Sequence, residues 1–218
     1  MFGMRVRPSS TYDIRGAFGP FVGGGHGLSD AEIRAALPVD FTALPMGERL
    51  VLEEVECWRG YVRADYLCVS DDGALSVIEV KSDRDTLRRF HEQVRVYSAI
   101  ADRVILVVGW NLAARALRAA PLWWDVLLAE RGLESRVRFV PLRDGSSNPG
   151  VAADALAAML PMDDVRHLAR GRGLSPGRLS GRRLRDLIAT HVSNVELRAA
   201  VGRWLTRLAQ ERELRPSP

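Results

Sequence analysis

Two carboxylates and an amine are set apart by their spacing. Asp65 lies in the run Arg63-Ala64-Asp65-Tyr66-Leu67-Cys68-Val69, and Glu79 and Lys81 lie in Ser76-Val77-Ile78-Glu79-Val80-Lys81. Between them stands Asp71-Asp72-Gly73, a turn signal. If these three residues form a hairpin loop, Ser70 pairs with Ala74, and counting outward sets Asp65 opposite Glu79 with both side chains on one face. Cross-strand neighbours have Cβ atoms about 4.5 to 5.5 Å apart, close enough for two carboxylates to hold one divalent ion. Lys81 falls on the same face, beside Leu67, Val69, Leu75 and Val77, so the charged trio ends an otherwise apolar surface. The alternative is a solvated rim with a surface ion pair, worth roughly 0 to 1 kcal/mol. Against it, the acids interrupt strands whose other positions are mainly apolar. Of 31 basic residues 30 are arginine, and Lys81 is the single lysine. A general preference for arginine explains most of that imbalance; the exception suits a position needing a compact, rotatable ammonium.

The elements that must position this trio are short strands. Segments near 50–57, 62–70, 74–81, 103–109, 122–129 and 136–142 are apolar, rich in Val, Leu and Ile, and bounded by Gly, Pro or charged turns. Between the third and fourth, Arg84 to Ile100 carries Leu87, Phe90, Val94, Tyr97 and Ala101 at helical spacing. A short helix from Asp30 to Leu37, capped by Ser29 or Asp30, is expected to stop at Pro38. Mixed strands and helices predict an α/β core over residues 29–148. Residues 1–28, with Gly19, Gly23, Gly24, Gly25 and Gly27, read as a flexible glycine-rich arm without a phosphate-loop pattern. Residues 149–218 read as a basic helical extension, with helices over Val151–Leu160, Asp163–Arg170, Pro176 or later to His191, and Asn194–Arg212. Ser193 and Glu196 form a capping box for the last.

These residues resemble the PD-(D/E)XK nuclease superfamily, whose signature is an Asp on one strand and Glu-x-Lys on the next; here it reads Asp65, then Glu79-Val80-Lys81, with Ala64 in place of the proline. Gln93-Val94-Arg95-Val96-Tyr97 is similar to the Gln-x-x-x-Tyr element of RecB-type nucleases, and the run from Arg63 to Leu87, with Asp102-Arg103-Val104 and Trp123-Trp124, resembles a little-characterised bacterial nuclease-like family. The likeness spans about residues 29 to 145 and implies a restriction-endonuclease-like mixed sheet flanked by helices. It implies a Mg²⁺- or Mn²⁺-dependent nuclease hydrolysing DNA, RNA remaining open, in DNA repair or defence against foreign DNA. Asp65, Glu79 and the Val80 carbonyl would hold the metal, and Lys81 would orient or help deprotonate a water and stabilise developing charge. Glu54 would be the additional upstream acid, with Glu53 as its rival. Gln93 and Tyr97, four apart and so on one helix face, would hydrogen-bond the substrate backbone, unless Tyr97 simply packs in the core. The competing reading is a non-cleaving nucleic-acid-binding or scaffolding protein on the same fold.

Charge divides unevenly. Residues 1–160 carry 19 Lys+Arg against 21 Asp+Glu, whereas 161–218 carry 12 against 6. Arg166, Arg170, Arg172, Arg178, Arg182, Arg183 and Arg185 offer salt-sensitive contact with phosphates, Arg182 and Arg183 above all; the same helices could seat a protein partner or a second copy. No run of about 18 apolar residues occurs, so a cytoplasmic protein without a membrane span is expected. Cys57 and Cys68 read as buried thiols, the isolated histidines 26, 91, 167 and 191 as packing or surface residues, and Trp123 and Trp124 as covering the sheet.

Overall fold

The structure, a computed structural model, describes residues 27–40, 48–132, 135–175, 177 and 179–214. Most of the glycine-rich arm, with His26, and Pro176 and Arg178 of the extension lie outside the described residues. In chain order the elements are α1 (Asp30–Asp40), β1 (Glu48–Cys57), β2 (Val62–Ser70), β3 (Leu75–Lys81), α2 (Phe90–Ile100), β4 (Arg103–Gly109), α3 (Trp110–Ala119), β5 (Asp125–Arg131) and β6 (Val137–Arg143). Four helices follow: α4 (Ala153–Met159), α5 (Met162–Gly171), α6 (Gly181–His191) and α7 (Asn194–Glu213). The six strands form one mixed sheet in chain order, with β3, β4 and β5 mutually parallel and the other pairings antiparallel. This is the α/β architecture expected, and the strands fall close to their predicted spans.

The sheet separates two cores. On one face Leu67, Val69, Leu75, Val77, Leu106 and Trp124 pack with residues of helices α2 to α7. On the other, Tyr66, Cys68, Ile78, Val80, Ile105 and Val107 meet Leu28, Ile33 and Leu37 from α1 and the residues before it. Leu184, Ile188, Leu197, Val201 and Leu205 belong to the first core. The C-terminal helices therefore pack into the same core as the sheet and do not form a separate appendage beyond residue 148. Asn148 stands at that junction, its side-chain amide donating to the carbonyls of Ser98 (2.8 Å) and Ala101 (2.6 Å). The capping box of Ser193 and Glu196 opens α7 as expected.

Three local differences have physical causes. Helix α2 begins at Phe90 and not at Arg84, because Asp85 accepts from the Ser82 amide (2.8 Å) and hydroxyl (2.6 Å), holding 82–85 in a turn. Helix α3 carries no local capping signal, since Gly109 precedes it; its Asn111 amide donates to the distant Asp83 carboxylate at 2.8 Å. Pro38 removes one N–H donor from the last turn of α1 without ending it at Leu37. Among the described residues no helix is long and apolar enough to cross a membrane.

Candidate functional site

The β2–β3 hairpin has the register its turn residues dictate: Ser70 donates to the Ala74 carbonyl at 3.0 Å, and Tyr66↔Ile78 is the last paired position. One residue further, Asp65 stands opposite Glu79. There the carboxylate takes over from the backbone ladder, Asp65 Oδ2 accepting the Val80 amide at 2.6 Å. The same level of β1 is distorted. Glu54 has φ 52°, in the left-handed region, and lies opposite Asp65 between the pairs Glu53↔Tyr66 and Val55↔Ala64. Leu52 and Val55 both enter the first core, as do Ala64 and Leu67, so the in–out alternation of each strand slips by one residue here. The slip sets Glu54 and Asp65 at the boundary between the cores. Arg34 of α1 reaches them from the other face, pairing with Asp65, with Glu54 at 2.9 Å and with Asp30 at 2.8 Å. Arg63 pairs with Glu54 at 2.6 Å.

Glu79 is 1% exposed, and both its oxygens are engaged. Oε1 accepts from Lys81 Nζ and Gln93 Nε2, each at 2.5 Å. Oε2 lies 2.7 Å from the Tyr97 hydroxyl, which is also 3.1 Å from the Arg63 carbonyl. A carboxylate this deep is tolerated only because it is paired and hydrogen-bonded. Its charge is felt next door. Burial first, and then Glu79, push the Asp65 carboxyl up to about 7, against the Val80 amide, Arg34 and Lys81, which favour its ionised form. Burial, followed by the charge and hydrogen bond of Glu79, drives the Tyr97 hydroxyl far above the usual phenol range. For Arg34, burial works against the charged form, but Asp65, Asp30 and Glu54 outweigh it and raise its pKa.

The structure thus brings Asp65, Glu79, Lys81, Gln93, Tyr97 and Glu54 together. Between the rival upstream acids it places the Glu54 side chain beside Asp65, the two sharing Arg34, while the carbonyls of both Glu53 and Glu54 accept from Arg212. Gln93 and Tyr97 do not face outward toward a substrate backbone: Tyr97 is fully buried, and both side chains turn onto Glu79. Val80 meets Asp65 through its amide, not its carbonyl. Arg34 and Arg63 are the members sequence reasoning missed; the one local signal was the i,i+4 spacing of Asp30 and Arg34. Among the described residues no three of His, Cys, Asp and Glu gather as a metal cluster. In the extension, Arg182, Arg183 and Arg170 are exposed, whereas Arg166 pairs with Asp163 and Arg172 with Glu196. Arg185 is a structural clamp, donating to the carbonyls of Ala157 (3.2 Å) and Leu160 (2.9 Å). Both cysteines and Trp124 are buried, and His91 and His167 are exposed.

No curated protein matches the chain. A solved structure, the SPO1766 protein of unknown function from Silicibacter pomeroyi, is 17% identical with a TM-score of 0.41, over 85% of this chain and 94% of that one. The family model described as bacteriophage P4 protein cII matches residues 32–213, which include every strand and all but the first two residues of α1. The chain belongs to the bacteriophage P4 protein cII family.

Proposed function

We propose that this protein is a divalent-metal-dependent nuclease acting on DNA, built on the PD-(D/E)XK plan and working in DNA repair or defence against foreign DNA. One observation carries the reading: Asp65 and the Glu79–Lys81 pair converge where β2 and β3 part, with Glu79 almost wholly buried. Buried carboxylates beside a lysine, one raising the pKa of the other, are costly to fold and are characteristic of sites that move protons or bind ions. The donor chemistry fits Mg²⁺ or Mn²⁺, since Mg²⁺ commonly takes only one or two carboxylates and completes its shell with water and substrate phosphate. Asp65 and Glu79 would hold the ion, with the Val80 carbonyl as the resemblance implies. Bound there, it would shield phosphate charge and acidify a water. Because Arg34 pairs with one oxygen of Asp65 and the Val80 amide takes the other, metal binding requires Arg34 to shift toward Asp30 and Glu54, both of which it already contacts.

The chain's own groups have distinct tasks. Lys81 Nζ, anchored by Glu79, orients the attacking water and offsets charge on the phosphate. Asp65, whose carboxyl is raised to about 7 without the ion, would give up its proton to bind the metal as a carboxylate. Glu54, the outermost acid at 40% side-chain exposure, orients water at the rim. Gln93 and Tyr97 keep Glu79 aimed, and exposed Arg182 and Arg183 hold the DNA backbone.

A second reading, a non-cleaving nucleic-acid-binding or scaffolding protein, is favoured by the fact that Asp65 and Glu79 are already neutralised by Arg34 and Lys81. Incubation with supercoiled, linear and single-stranded DNA plus Mg²⁺ or Mn²⁺ separates the two. Cleavage by the wild type, lost in both Asp65→Ala and Lys81→Ala, is expected. Cleavage surviving in either variant overturns the site assignment, and salt-sensitive binding without cleavage by the wild type selects the second reading.

A further inference from the structure

The tip of the β1–β2 hairpin carries backbone strain that its turn does not require. Cys57 pairs with Val62, and the Tyr61 amide reaches the Trp58 carbonyl at 3.3 Å, leaving Arg59 and Gly60 as a two-residue loop. Their φ values of 62° and 78° are what a two-residue hairpin turn with both central residues left-handed demands. Trp58 is also left-handed, at φ 47°, outside the two central positions and in a region that bulky side chains rarely adopt. Strain of this kind persists where surrounding contacts impose it, and it clusters at binding sites.

Those contacts are visible. The Arg95 guanidinium lies 4.6 Å from the centre of the Trp58 ring and 5.0 Å from that of Tyr61, and the two rings are 6.2 Å apart at 60°. Trp58 is half-buried and packs partly on the first core, but Tyr61 is 52% exposed and contributes nothing to either core. Arg95 thus braces an aromatic ring that is left open to solvent. Arg95 lies on α2 between Gln93 and Tyr97, and the Tyr97 hydroxyl touches the carbonyl of Arg63, two residues beyond Tyr61. The platform and the carboxylate site therefore share a helix and a strand. Three exposed guanidinia surround it: Arg59, Arg95 and Arg63, the last also paired with Glu54, and Arg59 is near enough to Arg185 that, after burial, its charge helps lower the latter's pKa.

We infer that the Trp58–Arg95–Tyr61 platform seats an unstacked base of single-stranded DNA, with Tyr61 as the stacking face and Arg59 and Arg63 beside the flanking phosphates. The inference deepens the nuclease reading, on which it rests, by naming an unpaired strand as the substrate form. An open ring face takes any base without sequence preference, and neighbouring guanidinia make the binding salt-sensitive. A continuous duplex, its bases stacked on one another, cannot use the ring.

The test is fluorescence anisotropy of labelled dT20 and of a blunt duplex with the full chain in EDTA, where no cleavage intervenes. Wild type is expected to prefer dT20. Tyr61→Ala should weaken dT20 binding about tenfold, leaving duplex binding unchanged, and Tyr61→Phe, which keeps the ring, should remain within about twofold. Tyr61→Leu keeps apolar bulk and should lose affinity like the alanine variant, so the test survives if one substitution unfolds the chain. Wild-type affinity in Tyr61→Ala or Tyr61→Leu, equal loss on both DNAs, or no dT20 binding by wild type overturns the inference whether or not DNA is cut. Tyr61-dependent dT20 binding without Mg²⁺- or Mn²⁺-dependent cleavage would sustain the platform and sink the nuclease reading.

Discussion

Replacing Asp65 by Asn tests whether two carboxylates share this site. In the folded protein the Asp65 carboxyl is pushed up to about 7 by burial and by Glu79, whereas an unfolded chain titrates it near about 3.9. Between those values the native state binds a proton that the unfolded state does not, so stability falls as pH rises from about 4 through about 7. The gap between those two values corresponds at most to about 4 kcal/mol. Asn is neutral throughout. Below about pH 4 the two proteins should be about equally stable, because Asp65 is then protonated in the folded and the unfolded wild-type chain alike. At pH 8 Asp65→Asn should be the more stable, less what is lost with the Arg34–Asp65 pair. For a chain of this length 1 kcal/mol moves Tm by about 2 to 4 °C, so a relative gain of several degrees is expected between pH 5 and pH 8. Thermal melts of both proteins at matched ionic strength measure it, and titrations common to both cancel. A difference that stays flat across that range, or runs the other way, would refute the claim that burial and Glu79 hold the Asp65 carboxyl protonated toward neutrality.

Tyr97→Phe removes the hydroxyl that Glu79 Oε2 and the Arg63 carbonyl share, and should cost about 1 to 3 kcal/mol in denaturant titration while lowering any metal-dependent cleavage. Arg185→Ala leaves the Ala157 and Leu160 carbonyls without their donor and should destabilise by roughly 2 kcal/mol. Arg182→Ala and Arg183→Ala should leave Tm nearly unchanged but each reduce the salt slope of DNA binding by about 1, a contrast read from melts and salt titrations of the same three variants. Gly145→Ala drives a Cβ into the Trp123 carbonyl and to within 2.5 Å of the Asp125 amide nitrogen, all backbone, so the variant should melt far lower or fail to accumulate as folded protein.

The sheet was legible because its signals are local. Asp71-Asp72-Gly73 fixes a hairpin by turn chemistry, and period-two burial then sets the faces of Leu67, Val69, Leu75 and Val77. Helix α3 was invisible for the opposite reason: its N-terminal amide is capped by Asp83 from a different segment, and a window over 110–119 contains no trace of that partner. The boundary of α2 moved for the same kind of cause, since Ser82 and Asp85 satisfy one another in a turn before periodicity takes hold. The split at residue 148 followed a change in composition from strands to helices, but composition does not report whether Leu184 or Val201 finds its partners within the extension or on the sheet.

At the site the same distinction separates the acids from what neutralises them. Asp65, Glu79 and Lys81 lie on neighbouring strands of one hairpin, so the register fixed by its turn brings them to one level, and Gln93 and Tyr97 follow from four-residue spacing on the next helix. Parity did not foresee that the alternation slips at Glu54 and Asp65, because the slip needs a left-handed Glu54 that no glycine announces. Nor does any spacing place Arg34. Its guanidinium reaches Asp65 because Leu28, Ile33 and Leu37 dock on Tyr66, Ile78 and Val80 across the far face of the sheet, a long-range burial that fixes the helix first and the charge second. Strand register therefore finds the paired acids and their lysine, and only the packing of the opposite layer discloses the cation that pairs with Asp65.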